Sequence, residues 1–186
     1  IMDEASKMNQ MVKNLLTLNQ LEFGDEDIVF DRFNLTALVR GVLQSMEIMA
    51  DQAGAKILLH TEEDIYAWAD EFKVEQVVKN YVSNACHHVS GDMVIEVKMV
   101  QKDGKVRVSV FNTGTPIPEA DIAHIWDKFY KVDKARTREY GGSGIGLSIV
   151  EATMKAHGKD YGVANVEGGV EFYFDVESAD SESVQC

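Results

Sequence analysis

The sequence predicts an α+β fold: a two-layer α/β sandwich with one mixed, mostly antiparallel sheet, covered by about three helices and preceded by one long helix. Three observations carry this. Residues 93–100 and 105–112 alternate apolar and polar around Asp103-Gly104, and Tyr161–Val166 and Val170–Val176 do so around Gly168-Gly169. Such turns join neighbouring antiparallel strands. Stretches of helical period separate the strands, so helices can cover one face of the sheet while the other stays open to water. Finally, Ile1, Ala5, Met8, Val12, Leu15 and Asn19 recur at alternating steps of four and three, a coiled-coil-like seam that one helix cannot bury alone.

Taken in order, residues 1–22 predict one helix, which Gly24 ends. Ile28–Phe30 predicts a short strand. Asn34 is placed as the N-cap of a single helix running through Leu38, Val39, Val42, Leu43, Met46 and Met49 to Gly54. Lys56–His60 and Ala67–Ala69 are strands, and Asp70 caps the next helix. That helix puts Val74, Val78, Tyr81, Val82, Ala85 and Val89 on one face, with Asn80 and Asn84 one turn apart on a neighbouring line. After the first hairpin, Glu119–Tyr130 predicts a short helix behind Pro118. Residues 131–143 lack periodicity and form a loop, long enough to suggest a functional lid. Gly144–His157 is a helix, the second hairpin follows, and Asp180–Cys186 is a polar tail.

Composition narrows the function classes. The chain has 186 residues, 45% of them hydrophobic, enough for one real core. A net charge of -13 argues against nucleic acid as a partner. Lys128, Lys131, Lys134, Arg136 and Arg138 form a basic island, either a solvated loop or a polyphosphate contact. Cys86 and Cys186 have no metal-binding spacing and imply no disulfide framework, which suits a reducing compartment. No apolar run has the length of a bilayer span.

Three short motifs carry chemistry. Gly142-Ser143-Gly144-Ile145-Gly146-Leu147 opens a helix; alternating glycines there let backbone amides approach an anion. The spacing is neither that of a dinucleotide fingerprint nor that of a P-loop. Asn80 and Asn84, poor helix formers beside an apolar stripe, need partners. Either nearby backbone supplies them or they turn toward magnesium and phosphates, for which hard oxygen ligands are suited. Asn112-Thr113-Gly114-Thr115-Pro116-Ile117 follows a strand, and a strand-end Asn can either make a turn or read the amino edge of adenine.

In this order the set resembles the nucleotide-binding domain shared by histidine kinases, DNA gyrase, the related heat-shock chaperone and mismatch-repair ATPases, a Bergerat-type ATP fold. The sensor histidine kinases of two-component systems are the closer match. Asn80–Asn84 resembles their N box, Asn112–Ile117 the first glycine box, Trp126–Lys131 the F box and Gly142–Leu147 the second glycine box. The resemblance implies an ATP lid over Lys131–Gly142. It implies ATP as the nucleotide, contacted by Asn80, Asn84, His87, His88, Asn112, Gly114, Ile117, Phe129, Tyr130, Lys131, Gly142, Gly144, Gly146 and Leu147. Mg2+ would be held partly by Asn80, with Asn80, Lys131 and Arg136 serving the transfer itself. Residues 1–23 resemble the second helix of the family's dimerisation and phosphoacceptor hairpin, residues 24–178 the catalytic domain, and 179–186 a tail. The partners implied are the hairpin's other helix, within a homodimer, and a response regulator receiver domain. The location implied is a cytoplasmic domain of a protein anchored in the bacterial cell membrane.

The sequence departs from the family pattern at several points. Asn112 stands where an aspartate is usual, and its lost charge would weaken an adenine contact by about 1 kcal/mol. Pro116 replaces a glycine. His87 and His88 replace a lysine and a tyrosine; they either reach phosphate or cap the helix end. None of the five histidines is followed by the acid and proline of a phosphoacceptor motif, which places the acceptor upstream of this sequence. A hydrolytic ATPase of the same superfamily would carry a glutamate at the position of Asn80, and an amide is no general base. A module that binds partners and not ATP is the other alternative.

Overall fold

A computed structural model describes residues 2–24, 27–61, 63–132 and 143–179. The chain runs α1 (Met2–Phe23), β1 (Asp31–Asn34), α2 (Leu35–Ser45), α3 (Glu47–Ala53), β2 (Lys56–His60), β3 (Tyr66–Ala69), α4 (Glu71–His88), β4 (Val94–Lys102), β5 (Lys105–Thr113), α5 (Glu119–Ile122), α6 (Gly146–His157), β6 (Tyr161–Val166) and β7 (Gly169–Ser178). The strands form one sheet in the order β1-β3-β7-β5-β4-β2, with β6 also paired to β7. Only the β2–β4 pairing is parallel; the others are antiparallel.

Register decides which face is apolar. Ile95 lies opposite Asn112, Val97 opposite Val110, and Val110 opposite Phe172. The period of two then sends Ile95, Val97, Met99, Val106, Val108, Val110, Phe172, Phe174 and Val176 to the helix side, where all are buried. Asn112 is the polar member of this face. On the open face, Arg107 makes paired bonds of 2.7 and 2.9 Å to Asp175 and lies 4.0 Å over the Tyr173 ring. The Asp175 hydrogen bond raises the Arg107 pKa above its ordinary value.

Helix α4 is the central pillar. Asp70 caps it, accepting from the Lys73 N–H at 3.1 Å, and Val74, Val77, Val78, Tyr81, Val82 and Ala85 are buried against the sheet. The buried Tyr81 hydroxyl donates to the Tyr173 carbonyl at 3.0 Å, which fixes the helix along its axis. Asn34 caps α2 as the sequence predicts, accepting from the Ala37 N–H at 2.9 Å.

The structure corrects several element boundaries. The first strand is Asp31–Asn34, not Ile28–Phe30, because pairing with β3 places Phe33 opposite Ala67 in the core; Val29 and Phe30 stay exposed. The helix expected from Asn34 to Gly54 is two helices. Ser45 Oγ donates to the Val42 carbonyl at 2.7 Å, and Met46 takes φ -98, ψ -1. A serine bonding back to an upstream carbonyl bends a helix in this way. The helix expected over Glu119–Tyr130 stops at Ile122. Its continuation turns so that Phe129, at φ 63, donates its N–H to the Gly144 carbonyl at 2.8 Å instead of continuing the helical ladder. Gly144 itself is left-handed at φ 70, which delays α6 to Gly146.

The apolar seam of α1 is divided. Leu18 is buried against Ile145 and Ile149 of α6, with Met11 and Leu21 alongside, a burial worth about 2 kcal/mol for Leu18. Glu22 accepts from Lys128 at 2.6 Å. Met8, Val12, Leu15 and Leu16 remain exposed. One end of the helix therefore folds back on the domain while the rest of the seam is uncovered. None of the helices among the described residues is long and apolar enough to cross a membrane.

Candidate functional site

Two helices and two loops build the site. Asn80 and Asn84 project from α4 on the line beside its buried stripe and are half-buried. Neither side chain hydrogen-bonds to another described residue, so the local backbone that might have satisfied them does not. Both amides retain their full hydrogen-bonding capacity, at a place where water still reaches them.

Asn80 faces the start of α6. A Cβ on Gly146 would lie 3.0 Å from Asn80 Oδ1, so glycine is what lets the asparagine lie against the helix end. That end lacks a side-chain cap: the N-cap residue is the buried Ile145, and no acidic residue occupies the first turn. Among the described residues no side chain caps the first amides of α6, and with the positive end of the helix dipole such amides favour an anion. By contrast, side chains cap both α2 and α4.

Gly144 locks the F-box segment in place. Its φ is 70, and a Cβ there would approach the Phe129 Cα to 3.0 Å, so both conformation and space demand glycine. Ser148 Oγ donates to the Trp126 carbonyl at 2.8 Å, a second tie between α6 and this segment. Lys131 lies alongside, its Cε 3.4 Å from the same hypothetical Cβ. Phe129 is half exposed. Tyr130 turns back toward α5, donating its hydroxyl to Asp121 Oδ1; that bond, more than desolvation, raises the phenol's pKa. Lys128 is engaged by Glu22 of α1, so it does not contribute to a free basic island. Gly142 and Arg136, with Lys134 and Arg138, lie outside the described residues.

The other end of α4 meets the first glycine box. His87 is half-buried and His88 exposed. A Cβ on Gly114 would stand 2.9 Å from the His88 carbonyl oxygen and 3.2 Å from Ser90 Oγ, so this glycine too permits close approach. Asn112 is 2% exposed and points from β5 into the space beneath α4. Its Nδ2 donates to the Thr113 carbonyl at 3.2 Å, which leaves Oδ1 as the acceptor it presents. A buried amide carbonyl of this kind suits an exocyclic amine.

Ile117 and Leu147 are half-buried and pack on the main core; both shape the site's wall from the core side. Among the described residues no group of three or more His, Cys, Asp or Glu side chains could hold a metal. Asn80 Oδ1 is a hard donor at this helix end, which fits an ion held mainly by phosphate oxygens and water.

Sequence reasoning missed two residues that shape the site. Ser148 is one polar position in its helix and carries no signal of its own. Asn165, in β6, accepts from the Ile117 N–H and donates to the Ile117 carbonyl, both at 2.8 Å. No local pattern signals a contact across 48 residues.

An uncapped helix end faced by Asn80, with Asn84 one turn along α4 and a buried amide at a strand end, makes up the candidate site. The family model for histidine kinase-, DNA gyrase B- and HSP90-like ATPases matches residues 69–180, and the chain belongs to that family. Among its relatives, the sensor histidine kinase WalK of Bacillus subtilis (strain 168) is 31% identical over 170 residues, 89% of this chain and 28% of WalK. Full-length ShkA in complex with AMPPNP has a TM-score of 0.82 at 25% identity, over 96% of this chain and 38% of ShkA. The histidine kinase ThkA in complex with the response regulator protein TrrA has a TM-score of 0.74 at 29% identity, over 96% of this chain and 49% of that one. Within the family the chain is an ATP-binding catalytic domain of the sensor histidine kinase type, and it spans 28% of the length of WalK.

Proposed function

We propose that this domain binds Mg-ATP and transfers its γ-phosphoryl group to a histidine outside residues 1–186, for relay to a response regulator receiver domain. The observation that carries the reading is the placement of unpartnered Asn80 against the uncapped start of α6, with Asn84 one turn further along α4. Asn112 Oδ1 accepts from the adenine amine. The α6 amides and Asn84 bind the phosphates. Asn80 supplies the side-chain oxygen for magnesium, whose charge offsets that of the polyphosphate. Lys131, with Arg136, balances charge on the transferred group. An imidazole nitrogen forms the new P–N bond as the bond from the γ-phosphorus to the β–γ bridging oxygen breaks and ADP leaves. The protein's contribution is position and electrostatics.

We further propose that α1 is the second helix of a dimerising hairpin whose first helix carries the acceptor histidine. Its exposed Met8, Val12, Leu15 and Leu16 supply the surface for that helix, within a homodimer of the longer protein. In such a protein the domain lies on the cytoplasmic side of the membrane. Hydrolysis in place of transfer is disfavoured because Asn80 occupies the position where a water-activating carboxylate is needed.

The test is a calorimetric titration with ATP, with and without magnesium, of the wild-type chain and Asn84→Ala, followed by labelled-phosphate transfer to a supplied acceptor helix. One-to-one binding that the substitution abolishes, then label on the acceptor histidine, is the expected result. Equal affinity in Asn84→Ala, or steady phosphate release without transfer, overturns the proposal.

A further inference from the structure

Pro116 and Pro118 flank Ile117. Proline has no N–H, so the Ile117 amide is the only backbone donor in that stretch. It goes to Asn165 Oδ1, and Asn165 Nδ2 returns a bond to the Ile117 carbonyl, each at 2.8 Å. The side chain thereby imitates the bond pair that one residue exchanges with its opposite in an antiparallel ladder. Three residues earlier, the Gly114 N–H donates to the Gly168 carbonyl at 3.1 Å. The β6–β7 hairpin therefore grips residues 114–117 at both ends, immediately after Asn112 and against the His88 carbonyl.

Asn165 occupies the helix-facing side of β6, with Val163 and Tyr161, and lies opposite Val170. It is nevertheless exposed. An exposed polar pair adds little to global folding, yet here it fixes a segment whose two prolines can form no ladder of their own. We infer that Asn165 is a positioning residue for the nucleotide: it holds the Gly114–Ile117 wall at the spacing from Asn112 that the adenine ring needs. This rests on the nucleotide-binding reading above. Its effect falls on the base side of the site, away from Asn80 and the start of α6.

The experiment titrates ADP and ATP into wild type, Asn165→Ala and Asn165→Asp, and follows amide exchange at Ile117. Asn165→Ala binds both nucleotides roughly tenfold more weakly, about 1.4 kcal/mol. Asn165→Asp falls between, because its carboxylate accepts the Ile117 N–H but offers nothing to the Ile117 carbonyl. Ile117 exchange accelerates in Asn165→Ala, while the melting temperature without nucleotide and the magnesium enhancement of ATP binding stay at wild-type values. Wild-type affinity in both variants overturns the inference alone, as does a loss of affinity that only tracks a fall in melting temperature. Failure of the wild-type chain to bind either nucleotide overturns the nucleotide reading with it.

Discussion

Gly146→Ala separates stability from binding. Gly146 has no positive φ and begins α6, so helix propensity favours alanine there by up to about 1 kcal/mol. For a chain of this length, each kcal/mol moves the melting temperature by about 2–4 °C. The added Cβ meets Asn80 Oδ1 at 3.0 Å and Asn80 Cγ at 3.6 Å, the nearest atoms to it outside its own helix. The alanine therefore displaces one amide by a few tenths of an ångström or turns it aside, and the half-buried side chain has room to yield. If Asn80 carries the magnesium and phosphate contact, the variant melts at or above the wild-type temperature. It also binds Mg-ATP about thirtyfold more weakly, the roughly 2 kcal/mol of one hydrogen bond to a charged group. The assay is a double-mutant cycle with Asn80→Ala, read by calorimetry. Because Gly146→Ala acts through Asn80, it has little further effect in the Asn80→Ala background. Additive losses, or unchanged Mg-ATP affinity in Gly146→Ala, would falsify the assignment of Asn80.

Two further outcomes follow from contacts outside the site. His157 is buried, donates from Nδ1 to the Thr153 carbonyl at 2.8 Å and accepts the Asp70 N–H on Nε2 at 3.2 Å. Burial holds its pKa below the ordinary 6.5, with Lys73 and Lys159 acting in the same direction and Thr153 and Asp70 opposing. The folded state thus prefers neutral His157. Its contribution to stability is complete above pH 6.5 and declines as pH falls below that value toward the folded pKa. Melting curves between about pH 7.5 and 5 detect this, and His157→Gln flattens that slope; an unaltered slope contradicts the assignment. Leu18, 2% exposed, anchors α1 on Ile145 and Ile149. Leu18→Ala removes about 2–3 kcal/mol of local packing, so amide exchange across α1 rises while the sheet's protection stays constant. Equal protection of α1 in both proteins would show that the helix is held by something else.

Much of the site was legible in the sequence because its chemistry depends on residues with few alternative uses. Asparagines at i and i+4 beside an apolar stripe, and glycines before a helix, are costly unless something requires them. The structure supplies a physical requirement at three glycines: the approach of Asn80 to Gly146, of Phe129 to Gly144, and of the His88 carbonyl to Gly114. Periods of two and 3.6 residues likewise disclosed both hairpins and the apolar face of α4. Two of the misplaced boundaries depend on a partner distant in the chain, whereas the break at Met46 follows from the local bond of Ser45 to the Val42 carbonyl. Ala67 selects which residues form β1, and Gly144 draws Phe129 out of a helix.

The sequence by itself therefore determined the fold class, the broad order of elements and which polar groups make up the candidate site, because these follow from local period and from residue chemistry. Only the tertiary structure decided how those groups are held: Asn165 gripping the loop between two prolines, Ser148 tying Trp126 to α6, and Leu18 drawing one end of α1 onto the domain while leaving the rest of its seam exposed. Each of these is a contact between segments far apart in the chain. Hydrogen bonding and packing across such distances leave no periodic trace in the residues that make them.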